Sequence, residues 1–242
     1  MSRNGFPKYV SAAEQRAKAN RALEKLKKKN PDLEPVLIEG RTLARSWWGK
    51  SWNANLESYA DYSNRIDRGK TYVRGNAVLD LKISRGKVEA KVQGTRAKPY
   101  DVTVAINALN PEKWEKITEL CNRRIESLEQ LMEGTFPKEM EVLFSDRSYG
   151  LFPSPKEIHF SCSCPDWASM CKHVAAVLYG IGARLDQNPM LFFELRNLDE
   201  QELIRKSLER KLDSMLQNAG KNAGKNAERE IAPEDIEDIF GI

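Results

Sequence analysis

The sequence predicts an α+β fold, an antiparallel β-meander with packed helices followed by a compact strand–turn–helix module. Three observations carry this reading. The hydrophobic period switches to two between residues 76 and 106. Apolar stripes at helical spacing lie on both sides of that stretch. Three of the four cysteines fall with one of the two histidines inside a twelve-residue window, 162–173.

The first element is a helix over 11–29. Ser11 with Glu14 three residues on makes a capping-box pattern, and Asn30-Pro31 stops the chain. Its later turns, ALEKLKKKN, are mostly polar and read as a surface helix. Residues 45–60 place Trp47, Trp48, Trp52, Leu56 and Tyr59 at helical intervals, a pattern of core packing before base stacking. Ala77, Leu79, Leu81 and Ile83 then alternate, Ser84-Arg85-Gly86-Lys87 turns the chain, and Val88, Ala90 and Val92 alternate again. Val102, Val104 and Ile106 supply a third strand, so the sheet is expected to be a meander with one buried face.

Pro111 opens a helix expected to reach about Met132, with Trp114, Ile117, Cys121, Ile125, Leu128 and Leu131 on one stripe and Gly134 beyond it. Cys121 reads there as a small buried hydrophobe. The apolar runs at 140–145 and 157–161 read as two more strands. KHVAAVLYGIGARLD is a helix apolar around most of its circumference, expected to be buried. A further helix over 199–217, capped by Asp199, precedes the linker-like repeat NAGKNAGKNA. The last stretch, PEDIEDIFGI, reads either as an interaction peptide or as a piece docking on its own domain.

Composition narrows the function classes. With 40% hydrophobic and 31% charged residues the chain suits a soluble globular protein. No signal-peptide core opens it, and no run approaches the roughly 18 apolar residues of a membrane span. A cytoplasmic setting is the expectation. Basicity is slight overall, at +4, but uneven. Residues 1–30 carry nine Lys or Arg against Glu14 and Glu24, and residues 228–242 carry six acids against Arg229.

Cys162, Cys164, Cys171 and His173 form C-x-C-x6-C-x-H. Three thiolates and an imidazole are a complete tetrahedral set, and soft sulfur donors favour zinc over hard cations. Pro165-Asp166 supplies the turn that brings the first pair round, and the second pair sits where the next helix begins. The module is therefore expected to be zinc-nucleated, with one structural ion. Four protein ligands leave no coordination position for an activated water, which argues against a zinc hydrolase. His159 alternates with Ile158 and Phe160 and is expected to face outward. The H-x-E…P-C-x-x-C of deaminases and the G-x4-G-K-[ST] of phosphate-binding loops are both absent. No catalytic constellation stands out, no small-molecule substrate is suggested, and a non-enzymatic protein is expected.

The stretch F-S-C-S-C-P-D-W…C-K-H-V-A-A-V-L-Y resembles the SWIM zinc finger, and GRTLARSWWGKSWNANLESYADYSNRIDRGKTYVRGNAVLDLKISRGKVEAKVQGTRAKPYDVTVAI resembles the N-terminal region of prokaryotic SWIM proteins. The resemblance covers roughly residues 8–200. It implies zinc ligation by Cys162, Cys164, Cys171 and His173, binding of DNA or protein, and work beside a Swi2/Snf2-type ATPase. The corresponding organisation is a basic N-terminal helical arm over 1–35, an α+β domain over 36–145, the SWIM module over 146–200, and a helix, flexible linker and acidic tail over 201–242.

Arg65, Arg68, Lys70 and Arg74, interleaved with Tyr62 and Tyr72, form the best nucleic-acid candidate, because Arg forks onto phosphate and aromatic rings stack on bases. Lys172, Arg96 and Lys98 extend it. The same stretch also reads as a solvated loop with Asp67 pairing locally. The expected function is a zinc-binding accessory protein for nucleic acid, DNA before RNA. The alternative is a protein–protein interaction adaptor that does not touch nucleic acid.

Overall fold

The computed structural model describes residues 10–58, 63–120, 128–135, 137–168 and 170–199, together with residues 201 and 205. Four strands form one antiparallel sheet in sequence order: β1 (Val78–Ser84), β2 (Lys87–Val92), β3 (Tyr100–Ile106) and β4 (Ile158–Cys162). Val88 pairs with Ile83 on one side and Val104 on the other, and Val102 pairs with Cys162. One face buries Leu81, Val88, Ala90, Val92, Val102, Val104 and Ile106. The opposite face carries Lys91 beside Asp101 at 2.7 Å and Lys87 beside Glu89 at 2.8 Å, cross-strand or near neighbours of opposite charge in solvent.

The strict alternation expected from Ala77 to Ile83 is interrupted. The β1–β2 register shifts between Val78 and Asp80, so Val78, Leu81 and Ile83 share the inner face. Leu79 turns outward and is buried instead against Ala19 and Leu23 of α1 (Ala12–Lys27). The bulge thus gives a surface helix an apolar anchor. The expected Ser11–Glu14 capping box closes the N-terminus of α1.

Helix α7 (Lys172–Gln187) is the centre of the molecule. It lies across the buried face of the sheet, touching all four strands, and α2 (Trp47–Ser58) and α3 (Ser63–Arg74) cover its other side. Eleven of its residues are buried, in keeping with its nearly continuous apolar surface. Trp48 and Trp52 of α2 have no exposed surface, and their indole N–H groups donate to the carbonyls of Leu131 and Leu178 at 2.8 Å. Trp48 also packs on Phe144, Phe192 and Phe193 with ring centroids 5.4–5.9 Å apart. The tryptophans are core, as their spacing predicts.

Residues 63–74 are helix α3, not the loop expected from their charge. The physical reason is a narrow apolar stripe, Ile66, Gly69 and Val73, at helical spacing. Gly69 makes it possible, since a Cβ there would lie 2.5 Å from the Cβ of Ala175, so the two helices touch through bare backbone. Residues 140–145 are likewise helical, within α6 (Lys138–Ser145), where Met140 and Phe144 are buried four residues apart behind Pro137. A six-residue stretch as short as this does not reveal its period by itself.

The helix expected from Pro111 is seen as α4 (Pro111–Leu120) and α5 (Leu128–Glu133), with Trp114, Ile117 and Leu131 buried. Cys121 and Ile125 lie outside the described residues, as do Tyr59, Tyr62, nearly all of the 199–217 helix, the linker and the acidic tail. Helix α8 (Met190–Leu195), unforeseen in the sequence, contributes Phe192 and Phe193. Among the described residues no helix is long and apolar enough to cross a membrane.

Candidate metal centre

The site is built where β4 runs out and α7 begins. β4 delivers Cys162 with its side chain half-buried, and the next residue is pinned to the neighbouring strand: Ser163 N–H donates to the Asp101 carbonyl, and Asp101 N–H donates to Ser163 Oγ, both at 3.0 Å. Cys164 follows, and the chain turns at Pro165-Asp166. The Asp166 carboxylate accepts from the Arg65 guanidinium at 2.8 Å and from the Ala168 N–H at 3.2 Å, tying this turn to α3. The chain returns through buried Met170 to Cys171, the N-cap of α7, and His173 follows in the first turn.

The four ligand atoms of Cys162, Cys164, Cys171 and His173 all lie within 4.8 Å of one another. His173 Nδ1 is 3.9 Å from Cys162 Sγ and 3.8 Å from Cys171 Sγ. Tetrahedral bonds of ~2.3 Å to sulfur and ~2.0 Å to nitrogen call for edges of about 3.5–3.8 Å. The residues therefore fit a single ion, held through Nδ1 of the imidazole. His159 is exposed on β4 and does not belong to the cluster.

Hydrogen bonding to Cys162 holds the Cys171 thiol well below its ordinary value, and the His173 ring and the Val174 N–H act in the same direction. The same pairing pushes Cys162 up, because two adjacent sulfurs share one proton. A bound cation removes that competition and favours thiolate at both.

The histidine is held by aromatic rings that the sequence did not single out as neighbours. Tyr100 of β3 lies against it at 4.5 Å between centroids, tilted by 36°, and Tyr72 of α3 meets it edge-on at 5.4 Å. Gly94 makes room, since a Cβ there would sit 2.9 Å from His173 Nε2 and 2.4 Å from the Tyr100 ring. Nε2 is buried without a hydrogen-bond partner, so the ring orientation rests on packing in place of the usual outer hydrogen bond. Only a distant match between strand ends and helix faces could have pointed to Tyr72, Tyr100 and Gly94.

The basic residues singled out in the sequence divide between two faces of α3. Arg65, Arg68 and Tyr72, three and seven positions apart, share the face toward the cysteine loop. Arg65 is committed to Asp166, Arg68 is exposed, and Tyr72 is buried, which removes it as a stacking surface. Burial also raises the Tyr72 hydroxyl above its ordinary value. Lys172 extends over the Tyr72 ring at 5.6 Å; burial, then the nearby Arg68 charge, lowers its pKa. On the other face Lys70 pairs with Glu57 at 2.8 Å, and Arg74 donates to the Arg41 carbonyl at 3.1 Å. Arg96 and Lys98 are exposed between β2 and β3.

Fold and site together define an α+β protein with a Cys3His cluster that could hold one metal ion. No protein-family model matches the chain. No solved structure matches it significantly. The chain is 32% identical over 183 residues to an uncharacterized protein of Mycobacterium tuberculosis (Rv2102), an alignment covering 72% of this chain. The chain spans 66% of the length of that relative.

Proposed function

We propose that this chain is a non-enzymatic, zinc-binding accessory protein of the SWIM type that binds nucleic acid, DNA before RNA, beside a Swi2/Snf2-type ATPase. The observation that carries the reading is the joint between the cluster and the basic helix. Arg65 of α3 grips Asp166 inside the C-x6-C loop, so an ion that fixes the loop also fixes the Arg68 face of α3. Three sulfurs and an imidazole favour zinc, and a full set of protein ligands gives the ion a structural task. Cys162, Cys164, Cys171 and His173 hold it, while Arg68, Lys172 and, from the other face of α3, Arg74 meet phosphates.

The test is titration with a labelled DNA at two salt concentrations, since counterion release makes phosphate binding steeply salt-dependent. Binding that weakens with salt, and weakens further in the Arg68→Ala, Arg74→Ala double variant with the metal retained, is the expected result. Absence of DNA binding in metal-loaded wild type would overturn the nucleic-acid reading.

A further inference from the structure

Trp167 stands apart from every other described tryptophan. Trp48, Trp52 and Trp114 are 0%, 0% and 7% exposed, and Trp47 packs partly buried against the same core, whereas Trp167 is 100% exposed. Exposure of an indole costs about the burial free energy of a large side chain, so its position calls for a reason. The residues on either side of it have partners. Asp166 immediately before it accepts from Arg65, the Ala168 N–H immediately after it closes onto Asp166, and the metal ligands bracket the loop at Cys164 and Cys171. These contacts place a bare indole in solvent.

The charge around it selects an occupant. Arg68 lies one helical turn beyond Arg65, which holds Asp166 beside Trp167, and is exposed on the same face of α3. Among the described residues it makes no ion pair or hydrogen bond. Three thiolates around a dication leave about one net negative charge, which Lys172 at the helix start offsets. Arg68, exposed on this face, adds a positive charge for a phosphate.

We propose that Trp167 is a stacking platform for one unpaired base, with Arg68 on the adjoining phosphate, so that the preferred ligand is single-stranded nucleic acid. This rests on the nucleic-acid reading above and narrows it. An indole presented by its face has nothing to stack on in a duplex, whose bases already stack on one another, whereas a splayed base offers a matching face. Arg68 alone, by contrast, would serve a duplex equally well.

The experiment is fluorescence anisotropy with a labelled single-stranded oligonucleotide and its duplex, using the full chain loaded with zinc. Wild type, Trp167→Ala, Trp167→Phe and Arg68→Ala are compared, with metal content and circular dichroism read for each. The expected result is tighter binding of the single strand, a loss of about 5- to 150-fold in Trp167→Ala, and substantial recovery in Trp167→Phe. Arg68→Ala should lower the slope of log K against log salt by ~0.7. Unchanged binding in Trp167→Ala overturns this inference alone and leaves the indole to a protein partner. Preference for the duplex overturns it too. Wild type that binds neither form overturns both this inference and the nucleic-acid reading.

Discussion

Two ends of α7 are stabilised by opposite means. Around its middle and C-terminal half, Trp48 and Trp52, with Phe144, Phe192 and Phe193, form a close-packed aromatic cluster whose polar atoms are few and satisfied. At its N-terminus, among the described residues of 163–168 and 170, only Met170 is fully buried, and Pro165 and Trp167 are exposed. Where apolar area is plentiful, the fold is set by packing, at about 25 cal/mol per Å² buried. Where it is scarce, a few directional contacts must serve: four ligand atoms, the Arg65–Asp166 pair, and two hydrogen bonds between Ser163 and Asp101. The lesson is that the end carrying the candidate metal cluster has the least packing to hold its shape.

The contrast can be broken most decisively from the metal side. Structural zinc contributes about 10–16 kcal/mol in small zinc-finger peptides, far more than the loop's other contacts combined. Cys164→Ser should therefore free the backbone of 163–170 to exchange hydrogens rapidly while the amides of α2 and the middle of α7 stay protected. Equal loss of protection at both ends would mean that the two regions are one cooperative unit.

Next in size is the aromatic side. Trp52→Ala leaves a large cavity and removes the indole's bond to the Leu178 carbonyl, and should lower global stability by about 3–5 kcal/mol in denaturant titration. The folded fraction should keep its metal. Loss of metal from folded Trp52→Ala would show that the aromatic cluster positions the ligands.

A smaller effect comes from the pair that ties α8 to β4. Arg196 is 1% exposed in its side chain and meets Glu157, 28% exposed, at 2.8 Å. Burial alone would raise the Glu157 carboxyl, but hydrogen bonds from the Ser154 N–H and Arg196 outweigh it and hold it below its ordinary value. A depressed carboxylate stabilises the fold above its unfolded pKa of about 4.3 and loses that contribution as pH falls through the folded value. Glu157→Gln should cost about 1–3 kcal/mol at neutral pH, and the gap to wild type should close below about pH 4. A gap independent of pH would assign the cost to packing.

What the sequence made legible follows the same division. The ligand set, the three meander strands, the capped α1 and the buried α7 could be read because each is written in consecutive or regularly spaced residues. Helix α3 could not, because charges outnumber its stripe and the stripe contains Gly69, whose value lies in the approach of Ala175 from another element. The bulge at Leu79 was hidden for a related reason, since only the presence of α1 explains an apolar residue on the outer face. Residues 140–145 carried too short an apolar run to distinguish a strand from a helix. Tyr72 and Tyr100 become neighbours of His173 only when α3, β3 and α7 have assembled.

The central claim is that Cys162, Cys164, Cys171 and His173 hold one structural zinc ion. Native mass spectrometry of wild type and Cys164→Ser, purified without chelator, tests it most directly. The account predicts the mass of one zinc per wild-type chain and none in the variant. A wild-type chain at its bare polypeptide mass, or a variant that keeps its zinc, would contradict it.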